Sequence, residues 1–107
     1  MYMMVIYKMV DLNGVAGFDW DNGNERKNDK HGVSMAEAEQ IFFNAPLLLI
    51  EDESHSQREM RLHALGQTDV GRGLHITFTL CQAGTWIRVM SARDLHRKER
   101  AIYEQAN

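Results

Sequence analysis

Gly73-Leu-His-Ile-Thr-Phe-Thr-Leu-Cys81 alternates polar and apolar side chains, the period of a half-buried β-strand. The same period runs through residues 58–65 (Arg-Glu-Met-Arg-Leu-His-Ala-Leu) and 85–92 (Thr-Trp-Ile-Arg-Val-Met-Ser-Ala), and Leu47 to Ile50 forms a shorter apolar run before them. The connections Gly66-Gln67-Thr68-Asp69-Val70-Gly71 and Ala83-Gly84 are short, so these strands are expected to form an antiparallel meander.

Helical signals flank the meander. Ser34 followed by Glu37 reads as a capping box, and Met35, Ala38, Ile41 and Phe42 recur behind it at helical spacing until Asn44-Ala45-Pro46 stops the helix. Residues 94–105 read as a closing helix, capped by Ser91 with Asp94, with Leu95, Ile102 and Tyr103 toward the sheet. Upstream, residues 1–10 read as a strand, Asp11-Leu12-Asn13-Gly14 as a turn and residues 18–21 as a second extended piece. The polar residues 22–30 read as a surface helix, with Gly32 placed at its C-terminus. The expected fold is α+β in the order ββααββββα, an antiparallel sheet with helices packed on one face.

Composition sets the scale. The chain has 107 residues, 44% hydrophobic and 25% charged, enough for one compact domain but not for a separate cofactor domain, which excludes two-domain oxidoreductase and kinase readings. Its one cysteine, Cys81, fits a reducing cytoplasm. Residues 1–10 include Lys8 and are far shorter than the roughly 20 residues of a membrane span. The net charge of −3 conceals an asymmetry: residues 1–56 carry four Lys/Arg against ten Asp/Glu, and residues 57–107 carry eight against five. A basic second half can attract phosphates despite the negative total.

Sorted by strand parity, one open sheet face is expected to carry Glu59, Arg61, His63, His75, Thr77, Trp86 and Arg88. An antiparallel sheet ordinarily leaves one face wet and polar, which is the plain alternative. The residue types favour more than solvation, because Arg suits phosphate and His suits proton transfer. Other groups have equally plain readings. Lys30-His31 suits a helix C-terminus, His55-Ser56 a turn, and Arg93, Arg97, Lys98 and Arg100 a solvated helix face. No HExxH spacing and no glycine-rich phosphate loop occur, so neither a metal nor another cofactor is expected.

The chain resembles the BrnT-type toxins of bacterial type II toxin-antitoxin systems. Phe18-Asp19-Trp20-Asp21 is similar to the family's F-x-W-D, and Asn28 with Lys30-His31-Gly32-Val33-Ser34 to its N-x-K-H-G-V-S. Ala38, Phe42, His55-Ser56, Glu59-x-Arg61 and Gly66 follow in the family's order, as do Arg72-x-Leu74 and Phe78-Thr79. Residues 87–93 resemble R-I-I-S-A-R, and Glu99-Arg100 with Tyr103-Glu104 the closing E-R-x-x-Y-E. The resemblance implies a RelE-like fold over residues 18–107; residues 1–17 depart from the family's pattern as an N-terminal extension, either an added edge strand or upstream translated sequence. The resemblance also implies a cytoplasmic endoribonuclease that inhibits translation, neutralised by a BrnA-like ribbon-helix-helix antitoxin. Operator DNA would be bound only through that complex.

Metal-free RNA cleavage needs a base for the 2′-hydroxyl, charge stabilisation at phosphorus and a proton for the departing 5′ oxygen. Arg61 and Arg88 are the candidates to hold the phosphate, and His31 and Glu59 the candidates for acid and base. Lys30, His63, His75, Arg93 and Lys98 are candidates to contact RNA, and Trp86 to stack a base. The competing reading is a noncatalytic toxin-like module that only binds an antitoxin.

Overall fold

The computed structural model describes residues 14–20, 31–51, 61–81 and 85–106. The strand expected in residues 1–10, the helix in 22–30 and the His55-Ser56 turn lie outside these residues. The described elements are β1 (Gly17–Phe18), α1 (Met35–Gln40), β2 (Leu48–Glu51), β3 (Arg61–Gln67), β4 (Gly73–Cys81), β5 (Trp86–Asp94) and α2 (Arg97–Gln105). Strands β2 to β5 form the expected antiparallel meander. Strand β1 corrects the all-antiparallel reading: it joins the far edge parallel to β5, giving a mixed five-stranded sheet in the order β1-β5-β4-β3-β2. Parallel neighbours need a long crossover, and here α1 and the rest of the meander lie between the two strands.

Alternation along β3 and β4 creates the core. Leu62 pairs with Phe78 and Ala64 with Ile76, and these side chains pack with Ile87, Val89 and Ala92 against Val33, Ala38 and Ile41. The capping box of α1 forms as read, Ser34 Oγ accepting from Glu37 N–H and Glu37 Oε1 from Ser34 N–H. An edge-to-face series, Phe18 to Phe42 at 5.5 Å and Phe42 to Phe78 at 5.2 Å, ties β1 to the sheet through the 3-10 turn Ile41–Phe43 that follows α1.

The helices do not share one face, which is a second correction. Leu95 and Tyr103 pack with Leu48 and Leu65 in a separate cluster on the other side. A Cβ on Gly66 would meet Ile41 at 2.9 Å, while one on Gly73, in the next register pair, would meet Leu95 at 2.7 Å. The cause is parity. Leu65 points with Arg61 and His63, away from the main core, and this apolar patch is covered by α2.

Two details set what the second face displays. Thr77 pairs with Ser91 and Phe78 with Val89, so Met90 is the extra residue of a β-bulge. Simple alternation would send Ser91 and Arg93 to the core side with Ile87 and Val89; the bulge brings them instead beside Thr77 and His75. Strand β5 also runs on to Asp94, so Ser91 and Asp94 do not cap α2, whose N-cap is His96. Asp94 instead takes two hydrogen bonds from Arg72, at 2.7 and 3.2 Å, while Arg72 Nη1 donates to Glu37 and to the Gly32 carbonyl. Gly32 has a φ of 68°, the left-handed conformation that glycine adopts without strain. Arg72 thus holds the start of α1 to the ends of β4 and β5.

Candidate active site

The face opposite the main core is centred on β4, with His75, Thr77 and Thr79 in a row. On one side His75 pairs with Leu65, Thr77 with His63 and Thr79 with Arg61; on the other they pair with Arg93, Ser91 and Arg88. Arg61 and Arg88 therefore flank Thr79 across two strand spacings, roughly 10 Å between backbones. Arg88 donates through Nε and Nη2 to Asp19 Oδ2, at 3.2 and 2.9 Å. Cys81 Sγ lies 3.8 Å from the same oxygen. The Arg88 and Asp19 side chains are 40% and 33% exposed, so water screens the pair and a phosphate can compete for the guanidinium.

Toward the other end of the row, four side chains from four elements join. Glu99, in the first turn of α2, takes Arg93 in a fork at 2.8 and 2.9 Å. Its Oε2 lies 2.8 Å from His75 Nδ1, and its Oε1 accepts the His96 backbone N–H at 2.9 Å. His75 Nε2 lies 2.9 Å from His63 Nδ1, which is also 3.0 Å from Thr77 Oγ1, and the two imidazoles meet edge to face. Burial pushes the Glu99 carboxyl up, but the Arg93 fork, the His96 N–H and the neighbouring His75 outweigh it and hold the group at about 2. Burial pushes His75 below its ordinary value, and Arg93 and His63 offset the pull of Glu99.

These shifts make the fold acid-sensitive. Below pH 6.5 the unfolded chain takes up a proton at His75 that the folded one resists, so stability falls as pH drops. A larger loss follows below 4.5, where unfolded Glu99 protonates while the native carboxylate holds out to about 2, a contribution on the order of 3 kcal/mol. The urea midpoint, followed by circular dichroism, is expected to decline below pH 6.5 and steeply below 4.5. A flat midpoint from pH 7 to pH 4 would contradict this account.

The remaining sequence candidates are dispersed. His31 is exposed and sits by the Arg72 corner, where its charge helps lower the Asp94 carboxyl. That corner and Thr79 are seven residues apart on β4, roughly 23 Å, so His31 does not join the Arg61–Arg88 pair. Trp86 lies at the far end of β5 with its ring against Gly17, where a Cβ would come within 2.9 Å. Lys98 is exposed on α2 and borders a groove of about 690 Å³ with Arg97 and Ile102. Glu59 and Lys30 lie outside the described residues. Sequence reasoning missed Glu99 and Asp19 as partners of the site; the signals for Glu99 were its place early in a helix a few residues after Arg93 and its match to the closing E-R-x-x-Y-E, and the signal for Asp19 was its place within the F-x-W-D match.

Among the described residues no group of three or more His, Cys, Asp or Glu converges to hold a metal ion, and no helix is long and apolar enough to cross a membrane. A small α+β domain whose sheet presents arginines beside histidines has the equipment to act on phosphodiesters. The family model described as the ribonuclease toxin BrnT of type II toxin-antitoxin systems matches residues 20–99, and the chain belongs to that family. No curated protein matches the chain.

Proposed function

We propose that the protein is a metal-independent endoribonuclease that uses the Arg61–Arg88 face to cleave RNA and thereby inhibit translation. In this reading a BrnA-like ribbon-helix-helix antitoxin neutralises it in the cytoplasm, and the complex binds operator DNA through the antitoxin. The observation that carries it is the register that sets two arginines on either side of Thr79, with His63 and Thr77 two residues further along β3 and β4 on the same face. Two planar forks at this separation can grip the oxygens of one phosphodiester and meet the charge that develops as the 2′ oxygen attacks. His31 is remote from that pair, so His63, already on the face, takes the role of base. Glu59 keeps its candidacy as a second proton-transfer group from its sequence position, two residues before Arg61. Arg93, His75 and Glu99 support the face rather than bind RNA, and Lys98 with Arg97 guides the flanking backbone.

The test is incubation of purified protein with total RNA in EDTA across a salt series. Expected products carry 2′,3′-cyclic phosphate and 5′-hydroxyl ends, and RNA binding weakens steeply as salt rises. Cleavage only after divalent cation is added would overturn metal independence. Intact RNA under both conditions, with no growth arrest on expression, would favour the module that only binds an antitoxin.

A further inference from the structure

Arg93 and Arg88 both hold carboxylates on the second face, and the two pairs are built differently. Arg93 meets Glu99 nitrogen to oxygen, one to one, with side chains 26% and 19% exposed and the His96 backbone N–H on the same carboxylate. Arg88 instead directs Nε and Nη2 onto a single oxygen, Asp19 Oδ2, and that pair is the more exposed. The first pair has the geometry of a lasting brace. The second has that of a contact that can be exchanged.

The fold places Asp19 beside Arg88 through its backbone. The Asp19 N–H donates to the Ile87 carbonyl at 2.8 Å, prolonging the parallel pairing of Gly17 with Trp86 and Phe18 with Ile87. On one flank Phe18 packs edge to face on Phe42 and Phe43, at 5.5 and 6.3 Å; on the other, Trp20 Nε1 donates to Glu39 of α1 at 2.8 Å. These anchors keep a carboxylate within reach of Arg88 whether or not the ion pair itself stabilises the protein. The Nε–Nη2 edge is also a fork with which a guanidinium takes a phosphate. The Asp19 oxygen therefore stands where a phosphate oxygen would bind.

We propose that Asp19 is a built-in competitor of RNA at Arg88: its carboxylate covers the Nε–Nη2 edge until a phosphodiester displaces it, and this exchange lowers the affinity for RNA. The inference rests on the reading of this face as the RNA site and deepens it. Displacement costs the Arg88–Asp19 contact and leaves a carboxylate near the incoming phosphate, two anions that repel. Both penalties disappear when residue 19 is neutral. An amide keeps the size of the side chain and the backbone bond to Ile87, so Asp19→Asn removes the charge and little else.

Binding is measured with a 2′-O-methyl RNA oligonucleotide, which lacks the attacking hydroxyl and stays intact. At low salt Asp19→Asn should bind it about three- to tenfold tighter than the unmodified protein, and KM for cleavable RNA should fall by more than kcat changes. In an Arg88→Ala background the gain should shrink below about twofold, because the place of competition is gone. A gain that persists there is a general effect of charge and overturns the proposal. Unchanged or weaker binding by folded Asp19→Asn overturns it too, since the carboxylate would then serve to orient Arg88. The unmodified protein supplies a test that needs no variant: saturating oligonucleotide should shift the Asp19 side-chain ¹³C carboxyl resonance well beyond that of Glu99. An Asp19 resonance that moves no more than that of Glu99 overturns the proposal even if Asp19→Asn does not fold. A protein whose Asp19 responds as expected but which leaves cleavable RNA whole overturns the ribonuclease reading alone. One that binds no RNA overturns both.

Discussion

Arg88→Ala is expected to lower RNA cleavage about 10²- to 10³-fold while the protein stays folded. The factor corresponds to roughly 3–4 kcal/mol of transition-state stabilisation, the loss typical when one donor to a developing oxyanion is removed. Stability should hardly change. The ion pair that Arg88 makes with Asp19 joins side chains that are both a third or more exposed, so that pair is worth at most about 1 kcal/mol. Arg88→Lys should recover only part of the rate, since an ammonium keeps the charge but not the paired donors. Cleavage assays run beside thermal melts check the point. A folded Arg88→Ala protein cleaving at the parental rate would remove Arg88 from the chemistry.

The second large effect concerns the opposite face. Phe78 is fully buried, packs edge to face on Phe42 at 5.2 Å, and through Phe42 holds Phe18 of β1. Phe78→Ala is expected to destabilise the fold by about 3–5 kcal/mol, a large share of the roughly 5–15 kcal/mol of a typical domain. The melting temperature should fall on the order of 15–30 °C. Because Phe78 points away from His63, Arg61 and Arg88, the protein that remains folded at low temperature should still cleave RNA. A drop of under about 5 °C would mean that the aromatic series does not carry the packing assigned to it.

The contrast between these predictions shows what the sequence discloses. Alternation along 73–81 announces both the buried row of Leu74, Ile76 and Phe78 and the open row of His75, Thr77 and Thr79. Ser34 and Glu37 likewise announce the start of α1. Each of these signals is local, written within a few residues. The parallel edge strand, the bulge at Met90 and the second-face position of α2 are not local. They depend on which distant segment covers Leu65, and on one extra residue that reverses the sense of the alternation before Arg93. For the same reason parity placed Arg61 and Arg88 on one face but could not connect Glu99 to His75, or Asp19 to Arg88. Those partners are 24 and 69 positions apart. His31 lies by the Arg72 corner, a placement relative to the sheet row that its neighbour Lys30 in a recognisable motif does not disclose.

The place of β1 beside β5 has a temporal consequence. The first described strand to leave the ribosome must wait for the last before its hydrogen bonds can close, and Asp19 meets Arg88 only then. An interrupted chain ending before residue 86 therefore lacks both the arginine and the surface that receives β1. Under the proposed function, the Arg61–Arg88 face is complete only once β5 has been made and β1 has docked beside it.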